Sequence, residues 1–347
     1  MDQRLRHHGD VDAGPGLLDF AVNVRGDRPP AWLRERLAFA LDGLGRYPSA
    51  AQDATARAAA AGRHGRDPAE VLVLGGVAEG FALLPALAPR LAAVVHPSFT
   101  EPEVALRRAG IPVRRVLTDS AHRLRPERIP ADADLVVLGN PTNPTSVLHP
   151  AGLLRSLARP GRVLVVDEAF MDAVAGERES LAADRSTVGL LVFRSLTKTW
   201  ALPGLRAGYA LGEPGLLAPL AAPRPQWPVG TLVLEAVRAC SAPAAVTEAA
   251  AASAQIAQHR EWMAGQLMAL PGVTVHLPAA APFLLLRVPA GERVRSALAE
   301  AGIAVRRADT FPGLTPDHLR VAVRPPETAT LLVEALRDVL TSTGVGP

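Results

Sequence analysis

Short, mainly apolar runs recur along the first two hundred residues, at 71–74, 92–95, 113–117, 135–138, 163–166 and 190–193. Runs of this length with little alternation suit strands buried on both faces, as in a parallel sheet. Helical periodicity fills most of the gaps, around 78–88, 101–109 and 150–158, and precedes the first strand at 31–42 and 49–62. Alternation at this spacing predicts a parallel sheet covered by helices on both faces. Residues 1–30 are polar and rich in Gly, Asp, Arg and Pro, the pattern of an extended arm. Arg46-Tyr47-Pro48 reads as a turn.

The character changes after Tyr209. A proline-rich segment from Glu213 to Pro228 leads into an alanine-rich helical stretch over 229–270, long enough to bridge two domains. Residues 273–347 read strand, strand, helix, strand, strand, helix, the last helix spanning 326–341. The expected fold class is α/β, with a large domain built on a mostly parallel sheet and a small α+β C-terminal domain. The expected division is an arm over 1–30 that packs with the small domain, a large domain over 31–235 and a small domain over 236–347.

Composition narrows the class. With 347 residues, 48% apolar and 20% charged, the chain can bury a large core and is not intrinsically disordered. Its single cysteine, Cys240, excludes a disulfide framework and any cysteine-built metal site. A net charge of +3, 4% aromatic residues and no basic block give a nucleic-acid partner no support. No run approaches the about 18 apolar residues of a membrane span, and the N-terminus lacks the apolar stretch of a signal peptide, so a cytoplasmic protein is expected. One detail stands apart. Of 37 basic residues 36 are arginine, and the only lysine is Lys198. A bias toward arginine spares lysine where arginine cannot serve, as where an amine must become neutral and nucleophilic. A chance survivor on the surface would look the same, so the neighbours decide.

Those neighbours form a constellation. Lys198 lies in Ser195-Leu196-Thr197-Lys198, just after an apolar run, and Arg206 follows in Gly204-Leu205-Arg206-Ala207-Gly208-Tyr209. Asp167 ends the run Val165-Val166-Asp167-Glu168-Ala169-Phe170, and Asn143 lies in Asn140-Pro141-Thr142-Asn143-Pro144-Thr145. Ligands of open parallel sheets bind outside the carboxyl ends of the strands, so these motifs converge on one crevice. Leu74-Gly75-Gly76-Val77-Ala78-Glu79-Gly80 places a glycine pair between a strand and a helix whose first amides can meet an anion. It lacks the G-x-G-x-x-G of a dinucleotide site.

Together, in this order and joined on the only lysine, the motifs resemble fold type I pyridoxal-phosphate enzymes of the histidinol-phosphate aminotransferase and threonine-phosphate decarboxylase branch. The resemblance covers about residues 7–341 and implies an aspartate-aminotransferase-like fold with pyridoxal 5'-phosphate as cofactor. Lys198 would form the Schiff base, and Asp167 would keep the pyridine nitrogen protonated. Asn143 would bond the ring oxygen, and Phe99 would stack on the ring. Ser195, Thr197, Arg206 and the backbone of Val77 and Ala78 would hold the phosphate. Tyr47 matches a tyrosine that reaches the neighbouring subunit's cofactor, implying a homodimer. Two positions depart from the pattern: Phe170 stands where many relatives carry tyrosine, and Ser146 where they carry glycine.

The resemblance further implies a small phosphorylated amino acid as substrate, with Arg306, Arg320 and Arg324 holding its anions. By alternation Arg320 and Arg324 share one face of a strand. His7-His8-Gly9-Asp10 and Asn23 resemble an arm that closes over substrate in threonine-phosphate decarboxylases, with His8 and Asn23 at the phosphate end. The paired histidines have no third ligand in sight for a metal. These features and Phe170 favour decarboxylation of threonine phosphate, in cobalamin precursor synthesis, over its alternative, a histidinol-phosphate type of transamination. A cofactor-binding regulator is not expected, because the chain starts at the arm with no DNA-binding module ahead of it.

Overall fold

The structure is a computed structural model, and it describes residues 3–342. Seven strands build the large sheet: β1 (Val71–Leu74), β2 (Ala92–His96), β3 (Val113–Leu117), β4 (Leu135–Gly139), β5 (Val163–Asp167), β6 (Leu190–Ser195) and β7 (Gly208–Gly212). Their order is β1-β7-β6-β5-β4-β2-β3, and only β7 runs against its neighbours. Alternate residues of every strand except the edge strand β3, where Arg114, Arg115 and Leu117 are exposed, feed two cores. Val136, Leu138, Leu164, Val166 and Val192 pack on one side of the sheet. Leu135, Val137, Val165, Leu191 and Phe193 pack on the other. This double burial is why the strands read as apolar runs. The fold is aspartate-aminotransferase-like α/β, as expected.

Four strands exceed their apolar runs by one or two residues, and the extra residues include His96, Gly139, Asp167 and Ser195. Ladder hydrogen bonds carry the backbone past the last apolar side chain, so polar residues emerge from the sheet at one edge.

The small domain holds a four-stranded antiparallel sheet of β8 (Thr274–Val275), β9 (Phe283–Arg287), β10 (Arg306–Arg307) and β11 (His318–Ala322), in the order β10-β11-β9-β8. Helices Gly291–Glu300 and Pro326–Ser342 complete it. The arm joins this domain: Leu18–Asp19 pairs in parallel with Ile303–Ala304, and Phe20 lies in the small-domain core.

The bridging stretch differs from the single helix expected over 229–270. It forms two helices, Thr231–Cys240 and Pro243–Met268. Proline suits the first turn of a helix, where its missing N–H has no partner to lose, and it disfavours helical backbone in the residue before it. Pro243 therefore starts a new helix after Ser241-Ala242. Ala245 and Ala249 of the second helix belong to the large core, whereas Met263, Ala264 and Leu267 belong to the small one. The hand-over between cores thus falls inside this helix, beyond residue 235. Among the described residues no helix is long and apolar enough to cross a membrane.

Candidate active site

Register assembles the site. Asp167 stands opposite both Gly139 and Phe193, and Ser195 stands opposite Gly208, which also faces Leu74. The carboxyl ends of β1, β4, β5 and β6 therefore open on one crevice, beneath the small domain and the arm. The crevice is a cavity of about 450 Å³. Lys198, Asp167, Asn143, Phe99, Ser195, Thr197, Arg206, Val77 and Ala78 line it, as do His8, Asn23, Arg306 and Arg320.

Its floor carries charge with few partners. Burial pushes the Asp167 carboxyl up to about 7, helped by the neighbouring Glu168 charge and opposed by the Ala169 N–H, which donates to Asp167 Oδ1 at 3.0 Å. No cation pairs with Asp167 among the described residues. Burial, with the like charges of Arg320 and Arg206, lowers the Lys198 amine to about 8. Arg206 sits in left-handed backbone (φ 62°), and its guanidinium lies against Gly76 (φ 82°). A Cβ at Gly76 would fall 3.1 Å from Arg206 Nη2, so glycine is what leaves room for the guanidinium beside the helix start.

Arg320 is the central cation of the roof. Strand register sets it directly opposite Arg306 and Leu285. Its Nη1 donates to Asn143 Oδ1 at 2.7 Å, its Nη2 donates to the Ala21 carbonyl, and it lies over the Phe283 ring at 5.5 Å. Its Nε is buried and unpartnered, and burial with the Arg306 charge lowers it to about 9. Arg306 is more fully engaged, with Asp12 at 3.3 Å, the His7 carbonyl at 2.7 Å, Thr310 at 2.8 Å and the Arg307 carbonyl. Both polar atoms of the Asn23 side chain are buried without partners. Phe170 packs edge-on against Phe283, so this part of the cavity wall is apolar. Ser146 adopts left-handed backbone (φ 63°), the region that favours glycine, and its Oγ accepts from the N–H groups of Ala280 and Ala281 at 3.1 and 2.8 Å.

Arg324 lies elsewhere than expected, and Tyr47, expected at a neighbouring subunit's cofactor, lies outside this chain's own cavity. Arg324 does not share the strand face of Arg320, because β11 ends at Ala322. It turns to the arm and donates to the carbonyls of Asp19, Val22 and Val24 at 2.9–3.1 Å, so it fastens the arm and does not enter the cavity. Tyr47 is exposed outside the cavity and stacks on Trp227 at 4.1 Å. Conversely, Asp10, Phe81 and Glu101 line the cavity unforeseen. A second group also escaped notice. Behind Asp167 and Ser195, Arg194 pairs with Glu168 at 3.1 Å, Glu177 at 2.7 Å and Asp172, while Arg63 meets Asp172 at 3.0 Å and Glu177 at 2.6 Å. An arginine inside the apolar run Leu190–Ser195 was the available signal. No group of three or more His, Cys, Asp or Glu side chains among the described residues could hold a metal ion.

Comparison with known proteins bears on the family and the fold. Residues 15–336 match the family model for aminotransferase class I and II. The chain is similar to a histidinol-phosphate aminotransferase of Mycobacterium tuberculosis, with 54% identity over 320 residues, 92% of this chain and 87% of the relative. It is more distantly similar to a threonine-phosphate decarboxylase of Salmonella typhimurium, with 32% identity over 95% of this chain and 93% of the relative. Its fold matches a histidinol-phosphate aminotransferase structure from Clostridium acetobutylicum with a TM-score of 0.86 at 23% identity, covering 94% of this chain and 100% of that one.

Proposed function

The chain belongs to the class I and II aminotransferases, pyridoxal-phosphate enzymes, and within that family we propose that it exchanges an amino group on a small phosphorylated substrate of the histidinol-phosphate type. The observation that carries this reading is the 54% identity over most of both chains. The cavity adds support. Arg306 is already held by Asp12, whereas Arg320 keeps an unpartnered Nε that can meet a substrate anion.

The residues fit the cofactor. Asp167 is a buried carboxylate with no cation, suited to a protonated ring nitrogen. Arg206, Ser195, Thr197 and the amides of Val77 and Ala78 would take the phosphate beside glycine-lined backbone. Arg320 engages the Asn143 carbonyl and so leaves the Asn143 amide N–H groups free to donate to the ring oxygen. Phe99 would cover the ring. When bound, pyridoxal phosphate supplies an aldehyde for the substrate amine and a ring that draws off electrons. Lys198 would hold the cofactor and move the proton at the substrate carbon, a task suited to an amine lowered to about 8. Arg320 would orient the substrate through its anion.

A homodimer also belongs to this proposal. Phe39, Leu41, Leu44, Tyr47 and Trp227 are exposed apolar side chains, and Tyr47 would complete the partner's phosphate site across the interface. A cytoplasmic setting fits the single buried Cys240.

Histidinol phosphate should convert the cofactor to its amine form, and 2-oxoglutarate should restore it. Carbon dioxide release from O-phosphothreonine without such exchange overturns the reading. Decarboxylation is the second reading, favoured by His8 and Asn23 in the cavity wall and by the Salmonella relative.

A further inference from the structure

At the cavity mouth two side chains of opposite chemistry face each other. His8 Nε2 lies 2.8 Å from Glu101 Oε1, and the His8 ring lies against Phe99 with centroids 5.4 Å apart. Both residues line the cavity. Backbone packing sets the position of His8. A Cβ on the next residue, Gly9, would fall 2.6 Å from the Ala21 carbonyl oxygen, so the arm crosses itself there at closest approach. Glu101 opens the helix Glu101–Arg108. Its hydrogen bond with His8, and the charges of His8, Arg6 and Arg108, hold its carboxyl below the ordinary range against the effect of burial.

An aminotransferase binds two amines in turn in one cavity. In the proposed reaction each carries an anion near its reacting carbon, which Arg320 meets alike. Their distal ends differ: glutamate ends in a carboxylate, histidinol phosphate in an imidazole. Discrimination therefore falls to whatever lines the distal end.

We propose that the His8–Glu101 pair reads both substrates, His8 donating to the distal carboxylate of glutamate and Glu101 accepting from the imidazole N–H of the other amine. His8 shows how the second mode works, because its own imidazole already fills a slot made by a carboxylate and an aromatic face. A substrate imidazole entering that slot replaces one such hydrogen bond with another, and the His8 side chain rotates out of it. A distal carboxylate cannot take the slot beside Glu101 without like-charge repulsion, so it meets His8 instead. Glu101 in this way contacts substrate and sets specificity. The inference rests on the aminotransferase reading for its choice of amines.

The experiment uses the holoenzyme, follows cofactor absorbance with each amine alone, and extracts a separate Kd for each. His8→Ala should weaken glutamate by about tenfold or more, the loss expected of a charge-assisted hydrogen bond, and change histidinol phosphate by less than about twofold. Glu101→Gln should do the reverse. Glu101→Asp, which keeps the charge but withdraws it, should also weaken histidinol phosphate, and melting curves check that each variant is folded. This crossed pattern supports the assignment. Variants that weaken the same amine, both amines equally, or neither overturn it, as does a wild-type enzyme that binds no histidinol phosphate. Binding is read apart from turnover. A crossed pattern in an enzyme that decarboxylates O-phosphothreonine and exchanges no amino group defeats the aminotransferase reading alone; exchange with an uncrossed pattern defeats the pair alone.

Discussion

Two charged clusters share the carboxyl ends of β5 and β6, and they are built on opposite terms. In the cavity Asp167, Lys198, Arg206 and the Nε of Arg320 lack partners of opposite charge among the described residues. Behind it Arg194 and Arg63 are threaded through Glu168, Asp172 and Glu177. The clusters are one residue apart in the chain, Asp167 beside Glu168 and Ser195 beside Arg194; strand alternation sends Arg194 and Ser195 to opposite faces of β6, and Glu168 turns away just past the end of β5. A buried charge is tolerated when paired and costly when alone. The rear cluster therefore serves the fold, while the front one holds its charges for a ligand.

Substitutions can break this contrast. Lys198→Ala should abolish turnover, by about 10⁴-fold or more as proton transfer and cofactor attachment go together, and leave melting of the cofactor-free protein unchanged or higher. Borohydride should no longer trap cofactor on the variant; labelling that persists contradicts the role of Lys198.

Arg194→Met should act the other way. It strands buried carboxylates and should cost about 3–5 kcal/mol in denaturant unfolding. A variant as stable as wild type would show that the rear cluster is not structural.

Asp167→Asn should lower kcat by about 10²–10³-fold, on the scale of one electrostatic contact in the transition state, while stabilising the cofactor-free protein at alkaline pH. The sign follows from the carboxyl raised from 3.8 to about 7. Its contribution to stability is complete below about pH 4 and lost as pH rises through 7. Melting temperatures of variant and wild type should therefore coincide at acid pH and separate by pH 8. A gap that does not change with pH contradicts the unpaired state of Asp167.

Arg320→Ala has the smallest expected effect on the chemistry. KM for the phosphorylated amine should rise about 10–100-fold, and cofactor should remain bound because Arg206 holds its phosphate. Removing a like charge also raises the Lys198 amine above its present value of about 8, so the alkaline limb of the labelling rate of the cofactor-free enzyme should move up in pH. An unmoved limb would show that Arg320 does not act on Lys198.

Much of this was legible in the chain alone. Apolar runs declared the central strands because burial on both faces leaves little room for polar side chains, Arg194 in β6 being the exception. Lys198, Asp167 and Asn143 were legible because each ends or closely follows a parallel strand, and a parallel sheet gathers its strand ends at one edge; Arg206 was legible from its glycine-flanked place just before β7. The long helix was misread because a single proline, Pro243, outweighed the alanine periodicity around it.

What tertiary structure decided concerns side chains whose surroundings come from distant segments. Arginine is the default cation of this sequence, so Arg306, Arg320 and Arg324 looked alike. Only packing shows that Asp12 occupies the first, that the second keeps an open Nε, and that β11 ends in time for the third to grip the arm. Glu101 meets His8 across 93 residues of chain. Local pattern specifies which face of an element a residue occupies, because backbone geometry repeats along it. Which charge finds a partner depends on loops and domains closing in space, and no periodicity records that.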